Sequence, residues 1–307
     1  MSKFKKVKKY KSDEKVTIKT FLKPTIYLLP FMLGIFVFTV YPFFNAVAIS
    51  FKEDYKVISD TFSGWGLGNY QKVFSDPTFI KAIINTTQYI LVVVSISLVI
   101  SILIAVMLNS VEKLQWLFQT AYFMPMVTSS AAIGLVWRWL FNYDYGILNY
   151  LLSLFNVDAI NFLNNPQYSM ISLCIYGVWS MLPFTIILLL AGLQNIDPQY
   201  YTAAKVDGAK TVDIFFNITV PLLAPTIGLV AIVNIISSFK VFDALYMLFG
   251  GKPGPAYNLY TVIFYLYEQF YTKLKLGYAA ASAIVLFVII LLFTMVQNRI
   301  QKKYDYY

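Results

Sequence analysis

The chain has 307 residues, of which 59% are hydrophobic and only 13% charged, where a soluble domain usually carries about a quarter charged residues. It holds no histidine and a single cysteine, Cys174, which excludes an intrachain disulfide, a Cys/His metal site and histidine-based acid–base or nucleophilic catalysis. The net charge of +9 invites a nucleic-acid reading, but nine of the 24 Lys and Arg fall within the first 23 residues, so their placement speaks against nucleic acid.

The chain opens on a basic tail, residues 1–24, containing KFKKVKKYK. This reads as a topology signal and a contact with a lipid surface. The apolar run that follows, 25–50, is too long for a signal-peptide core and has no small-residue cleavage site after it, so it reads as a retained helix. A bilayer core needs about 20 apolar residues per helix. Six stretches qualify: 25–50, 83–109, 118–141, 168–191, 221–249 and 277–298. The expected fold is therefore an all-α integral membrane protein with six transmembrane helices. Its main domain covers 25–300, with a short C-terminal tail at 301–307. Prolines 30, 42, 125 and 183 lie in or near these spans and predict kinked or broken helices packed against neighbours.

Within the third span, Arg138 sits between Trp137 and Trp139 and reads as an interfacial anchor. The fourth span carries Trp179, Ser180, Pro183 and Phe184. The fifth carries Asn234, Ser237, Ser238 and Val241 at spacings of three and four, which predicts one helical face. Such residues either line a solute path or glue helices together and mark the interface. Lys240 and Asp243, three apart, are expected to pair on one helical turn; alternatively Lys240 attracts an anionic solute. The segments 51–81, 142–167 and 250–276 connect spans on the outer side.

Orientation follows from Lys/Arg asymmetry. With the N-terminus inside, the tail, Lys113, Lys205, Lys210, Arg299, Lys302 and Lys303 lie inside. Lys52, Lys56, Lys72, Lys81, Lys252, Lys273 and Lys275 lie outside. The tail carries this bias and places both termini in the cytoplasm.

On that topology the segment YYTAAKVDGAKTVDIFFNITVPLL, residues 200–223, faces the cytoplasm. Asp197-Pro198 predicts a helix opening, with two turns from Gln199 to Val206. Gly208 predicts a left-handed helix end. A second short helix is expected through Ile218, with Pro221 opening the fifth span. Small Ala203 and Ala204 allow close approach, and Tyr200, Tyr201, Phe215 and Phe216 are aromatic anchors. The segment reads either as a surface helical hairpin or as a docking element for a cytoplasmic partner. The aromatic content favours docking, because exposed Tyr and Phe gain nothing without a partner.

The pattern Ala203-Ala204, Asp207-Gly208-Ala209, Phe215 or Phe216, Ile218 and Pro221-Leu222-Leu223 resembles the cytoplasmic signature loop of binding-protein-dependent ABC importer permeases. GLGNYQKVFSDPTF, NTTQYI, FMPMV, LVWRWLFN, LLLAGLQNIDPQYY and FKVFDALYMLFGGKPG extend the likeness along most of the chain. They resemble the carbohydrate branch of the maltose, multiple-sugar and glycerol-phosphate type, its first permease subunit above all. The family usually has Glu where this chain has Thr202, so ion pairing at that point is in doubt.

The resemblance implies a coupling-helix loop, 197–220, between helices 4 and 5, with Tyr201, Thr202, Ala203, Ala204, Asp207, Gly208, Ala209, Phe215 and Pro221 at the ATPase. It implies a second permease subunit, two ATPase subunits that hold ATP and Mg, an extracellular solute-binding protein and a carbohydrate substrate. It also implies a bacterial cell membrane. The chain itself would bind no cofactor or metal, and it has no G-x-x-x-x-G-K-[ST] phosphate loop. Trp179, Ser180, Phe184, Asn234, Ser237, Ser238 and Val241 correspond to sugar-contacting positions in the resembling permeases. An ion-driven secondary transporter is the competing class, but it needs mid-span acids or internal repeats that are not visible here. A permease for a phosphorylated or acidic sugar is a second alternative.

Overall fold

The computed structural model describes residues 18–110, 117, 120 and 124–301. The basic stretch KFKKVKKYK, Lys113, Lys302 and Lys303, and the early part of the expected third span lie outside the described residues. The chain divides into two compact units, residues 1–48 and 49–307.

In the first unit, α1 (Ile18–Ile35) runs through a π turn (Phe36–Val40) into α2 (Tyr41–Phe51). Pro42 has no N–H to donate, and its ring crowds the carbonyl four residues back. The widened turn, in which Tyr41 N–H reaches Phe36 O, keeps the helix continuous at that point. The stretch Thr25–Phe51 is long and apolar enough to cross a membrane, and its Tyr27, Phe31 and Phe38 are exposed.

In the second unit a small hairpin pairs β1 (Lys52–Glu53) antiparallel with β2 (Gly64–Trp65), followed by α3 (Gly68–Ser75). Next come α4 (Pro77–Asn109), α5 (Ser130–Leu140), α6 (Ile147–Leu154), α7 (Pro166–Gln194) and α8 (Pro198–Val206). Then α9 (Thr211–Ile214) passes through a second π turn (Phe215–Thr219) into α10 (Val220–Phe239). The chain finishes with α11 (Asp243–Leu248), α12 (Val262–Tyr267) and α13 (Leu276–Gln301). Together with the first-unit helix, α4, α7, the continuous Thr211–Phe239 helix and α13 have the length and hydropathy of membrane spans. Of the expected third span, residues 124–127 and α5 are helical among the described residues, with a break at Thr128 and Ser129.

Three helices open on an Asx–Pro pair. Asp76, Asn165 and Asp197 each accept the N–H two residues on, at 2.8–2.9 Å, while Pro77, Pro166 and Pro198 occupy the first turn. The side chain satisfies one free N–H, and the proline sits where no N–H is needed. Burial acts to raise the Asp76 pKa, but hydrogen bonds from Tyr265 and Thr78 outweigh it and hold the carboxyl below its ordinary value.

The bundle is centred on α4 against α7, with α10 packed on both. Val93, Ala105, Leu173, Ile186 and Leu189 are buried there. Gly177 allows the close approach: a Cβ at that position would stand 2.9 Å from Tyr89 Cε2. Buried asparagines tie the irregular backbone between spans. Asn85 Nδ2 donates to Asn258 O and Tyr260 O at 2.8 and 2.9 Å. Asn69 Nδ2 donates to Ser50 O and Lys52 O at 3.0 and 2.9 Å.

Asn149 does the same for residues 142–160. Its Nδ2 lies 3.0–3.3 Å from Asn142 O, Tyr143 O and Ile160 O, and its Oδ1 accepts from Ile160 N at 2.9 Å. Asn149→Ala leaves Tyr143 O and Ile160 N–H without that partner, at about 1–3 kcal/mol for each one that stays buried, while Asn142 O and Ile160 O keep the N–H groups of Gly146 and Phe162. The expected outcome is a clear drop in the melting temperature of the detergent-solubilised protein, which a thermal-shift measurement checks.

The fifth span departs from the sequence expectation of 221–249 opening at Pro221. It starts at Thr211, runs through Pro221 and stops at Phe239. The π turn absorbs Pro221 as the first one absorbs Pro42: Val220 N–H reaches Phe215 O. Thr219 Oγ1 takes the Ile214 carbonyl at 3.3 Å. Pro183 likewise lies inside α7 without ending it.

Candidate functional site

The 197–221 segment forms two short helices meeting at a glycine. Asp197 caps α8, and Thr202 Oγ1 turns back to Pro198 O at 3.1 Å. Gly208 has φ +76, and Ala209 N–H reaches Ala204 O at 2.9 Å while Gly208 N–H reaches Lys205 O at 3.2 Å. This is the glycine-terminated helix end expected from the sequence. The Lys210 N–H then donates to Asp213 Oδ2 at 3.4 Å as the chain enters α9.

Of the residues singled out, Ala204 is buried, while Tyr201, Ala209 and Phe215 are half-buried. Thr202, Ala203, Asp207, Gly208 and Pro221 are exposed. Phe215 and Phe216 meet edge to face, with centroids 4.9 Å apart. The second helix is not the free-standing element expected through Ile218, because it is the first turn of the long Thr211–Phe239 helix. A push on α9 is therefore transmitted into a membrane span without an intervening loop. Val206 (82% exposed) and Val212 (64%), neither of them in the motif reading, form with Phe216 (63%) an apolar rim around the turn. Valines on either side of Asp207-Gly208 in an otherwise polar stretch are the signal that marks them. Beside this turn lies an apolar cleft of about 840 Å³, walled by the end of α4, Tyr201, Lys205 and Phe215.

The candidate solute-path residues do not form one group. Asn234 is 2% exposed, and its Nδ2 donates to Thr185 Oγ1 on α7 at 2.9 Å. Ser238 is buried with an unpartnered hydroxyl. Ser237 is exposed. Val241 is buried but lies beyond the end of the helix, so the expected face breaks at Phe239. On α7, Ser180 and Phe184 are exposed, about 100–140° around the helix from Thr185. Trp179 meets Trp137 edge to face with centroids 5.4 Å apart, and lines an apolar cavity of about 230 Å³ with α5.

A further expectation changes. Lys240 closes α10 and Asp243 opens α11, and they form no ion pair among the described residues. They sit on separate helices with Val241 and Phe242 between, so no helical turn brings them together. Arg138 lies against Gly250, where a Cβ would stand 3.3 Å from its Nη1, and lines a polar cavity. Its side chain is exposed, with the guanidinium turned to that cavity.

Residues 97–306 match the family described as "Binding-protein-dependent transport system inner membrane component". The chain belongs to this family. Its members are components of transport systems, so this one is a transport subunit of a membrane and not an enzyme. It is 33% identical to the Arabinooligosaccharides transport system permease protein AraP of Halalkalibacterium halodurans, over 89% of this chain and 86% of that one. It is 32% identical to the Trehalose/maltose transport system permease protein MalF of Thermococcus litoralis, over 89% and 91% of the two chains. The fold matches a chain of a bacterial alginate ABC transporter crystallised with an alginate pentasaccharide-bound periplasmic protein. That match has a TM-score of 0.81 at 22% identity and covers 93% of this permease and 96% of that chain.

Proposed function

We propose that this permease forms half of the translocation pathway of an ABC importer for a sugar or oligosaccharide, with ATP and Mg held by two separate ATPase subunits. The observation that carries the reading is the exposed two-helix turn at Gly208, continuous with a membrane span. An ATPase cleft closing on α8 and the apolar rim at Val206, Val212 and Phe216 would rotate the Thr211–Phe239 helix as a rigid body. Thr202 brings no carboxylate to that contact and spends its hydroxyl on Pro198 O. Docking then rests on apolar burial more than on ion pairing.

A second permease would cover the exposed Ser180 and Phe184 of α7 and the exposed Ser237 of α10. Small polar groups on a membrane span suit a surface that meets protein or water, not hydrocarbon. Hydroxyls and an aromatic ring there suit a neutral, weakly held carbohydrate. The named substrates of the relatives, arabinooligosaccharides and trehalose or maltose, support this class. We place six helices in the bilayer, counting one through 118–141, with tails 1–24 and 301–307 and the 197–220 loop in the cytoplasm of a bacterial cell.

Purification of the tagged permease from its native membrane tests the reading. It should bring down a P-loop ATPase, a second permease and a solute-binding protein whose ligand names the sugar. Recovery of the chain alone, with uptake driven by an ion gradient and no ATP, would sink it. The substrate face has its own test. Ser180→Ala with Ser237→Ala should raise the half-saturating solute concentration for uptake several-fold. Unchanged affinity and rate would remove these two residues from the path. Asn234, buried against Thr185, acts as helix glue.

A further inference from the structure

The end of the bundle away from the Gly208 turn holds a cavity of about 510 Å³. Its walls are the last turn of α5, the turn after it, residues 161–164 ahead of α7, and the 248–257 loop after α11. The 29 residues of α7 separate it from the ATPase-facing segment, about 43 Å at the rise of a helix.

The lining is rich in donors. Arg138 and Lys252 both face it, and neither side chain makes an ion pair or a hydrogen bond among the described residues. Asn142 Oδ1 is already taken by the N–H groups of Asp144 and Tyr145, at 2.9 and 3.2 Å. Asn161 Oδ1 is taken by Asn164 N–H at 3.0 Å. Their amide N–H₂ groups remain as donors. Asp144 is the single acidic side chain of the lining. The walls are also held in place. Asn149 ties residues 142, 143 and 160 together, and Gly250, at φ +62, leaves the room that the Arg138 guanidinium fills.

A donor-lined site with two unpaired cations against one acid, one of them a planar guanidinium, fits a carboxylate, which Arg binds in a two-pronged fashion. We infer that this cavity receives a carboxylate side chain of the solute-binding protein when it docks. The inference rests on the importer reading above. A protein side chain suits the place better than a solute does. The cavity is built from the end of α5 and the loops outside the spans, and it contains none of the polar residues of α10 or of the exposed α7 face. The lone Asp144 leaves one position of opposite sign, which fixes how a charged partner surface is seated.

The test uses the whole importer reconstituted in vesicles, titrated with its sugar-loaded binding protein while ATP hydrolysis is followed. In Arg138→Gln with Lys252→Gln, the binding-protein concentration giving half-maximal stimulation should rise roughly tenfold. Its salt dependence should flatten, with the plateau rate and the unstimulated rate unchanged. Lys252→Gln alone changes an exposed loop side chain that makes no bond and leaves the Gly254 N–H to Lys252 O contact in place, so folding is not at stake, and it should give a smaller rise of the same kind. An unchanged half-maximal concentration in both variants overturns the inference. So does a fallen plateau at unchanged half-maximal concentration, because the residues would then act on the solute after docking. A wild-type complex whose ATPase ignores the binding protein overturns the importer reading itself.

Discussion

Gly208→Pro is expected to reduce ATP-driven uptake at least roughly tenfold while leaving the bundle folded. The residue sits at φ +76, and the proline ring holds φ near −65°. The substitution also removes the N–H that reaches Lys205 O and redirects the chain that brings Ala209 N–H to Ala204 O. Both bonds set the angle between α8 and α9. That angle is what an ATPase would grip, and α9 is the first turn of a membrane span. Gly208→Ala is the matched control. A Cβ there meets nothing within 4 Å, so its cost is the left-handed backbone alone, about 1–2 kcal/mol, and most uptake should persist. Uptake of labelled sugar by cells, set beside ATPase retention on purification, separates the two. Normal uptake and normal ATPase recovery in Gly208→Pro would show that the angle carries no force.

Gly177→Leu should do the opposite, breaking the fold and not the coupling. A Cβ at 177 stands 2.9 Å from both Cε2 and Cζ of Tyr89, and the rest of a leucine has to go further into the same ring. The site lies in the α4–α7 contact, the largest helix pairing of the bundle. Overpacking of this kind costs about 1–3 kcal/mol even where neighbours shift. Here the neighbour is a 5%-exposed tyrosine in the core. The expected result is a large loss of solubilised, well-melting protein. Tyr89→Ala in the same chain should recover part of it, because it vacates the volume that leucine needs. A Gly177→Leu protein that melts with the wild type would mean that α4 and α7 are free to move apart.

Local chemistry was legible where a residue's own backbone preference sets the geometry. The Asx–Pro openings at 76, 165 and 197 and the glycine-ended helix at 208 follow from short-range rules, and Asp197 and Gly208 were read from sequence as cap and turn. Pro221 was misread because a proline ordinarily begins or ends a helix. A five-residue π turn two positions upstream removes that constraint, and no periodicity in the sequence signals it. The α10 face failed for a related reason. Helical spacing places Asn234, Ser237 and Ser238 within about 100° of one another, but which side of that arc is buried depends on where α7 lies. Thr185, the partner of Asn234, is 49 residues away in the chain.

The sequence by itself determined that this protein lives in a bilayer, that it has no histidine chemistry and no Cys/His metal site, and that a polar, glycine-broken segment interrupts its spans. Hydrophobic length, residue inventory and backbone preference are properties of segments, and segments carry them without neighbours. Only the tertiary structure decided that α9 is continuous with a span, that Trp179 faces Trp137 while Ser180 faces out, and that Arg138 and Lys252, 114 positions apart in the chain, share one cavity. Those facts depend on which helix faces are covered. Covering is a matter of packing between residues far apart in sequence, which no single segment encodes.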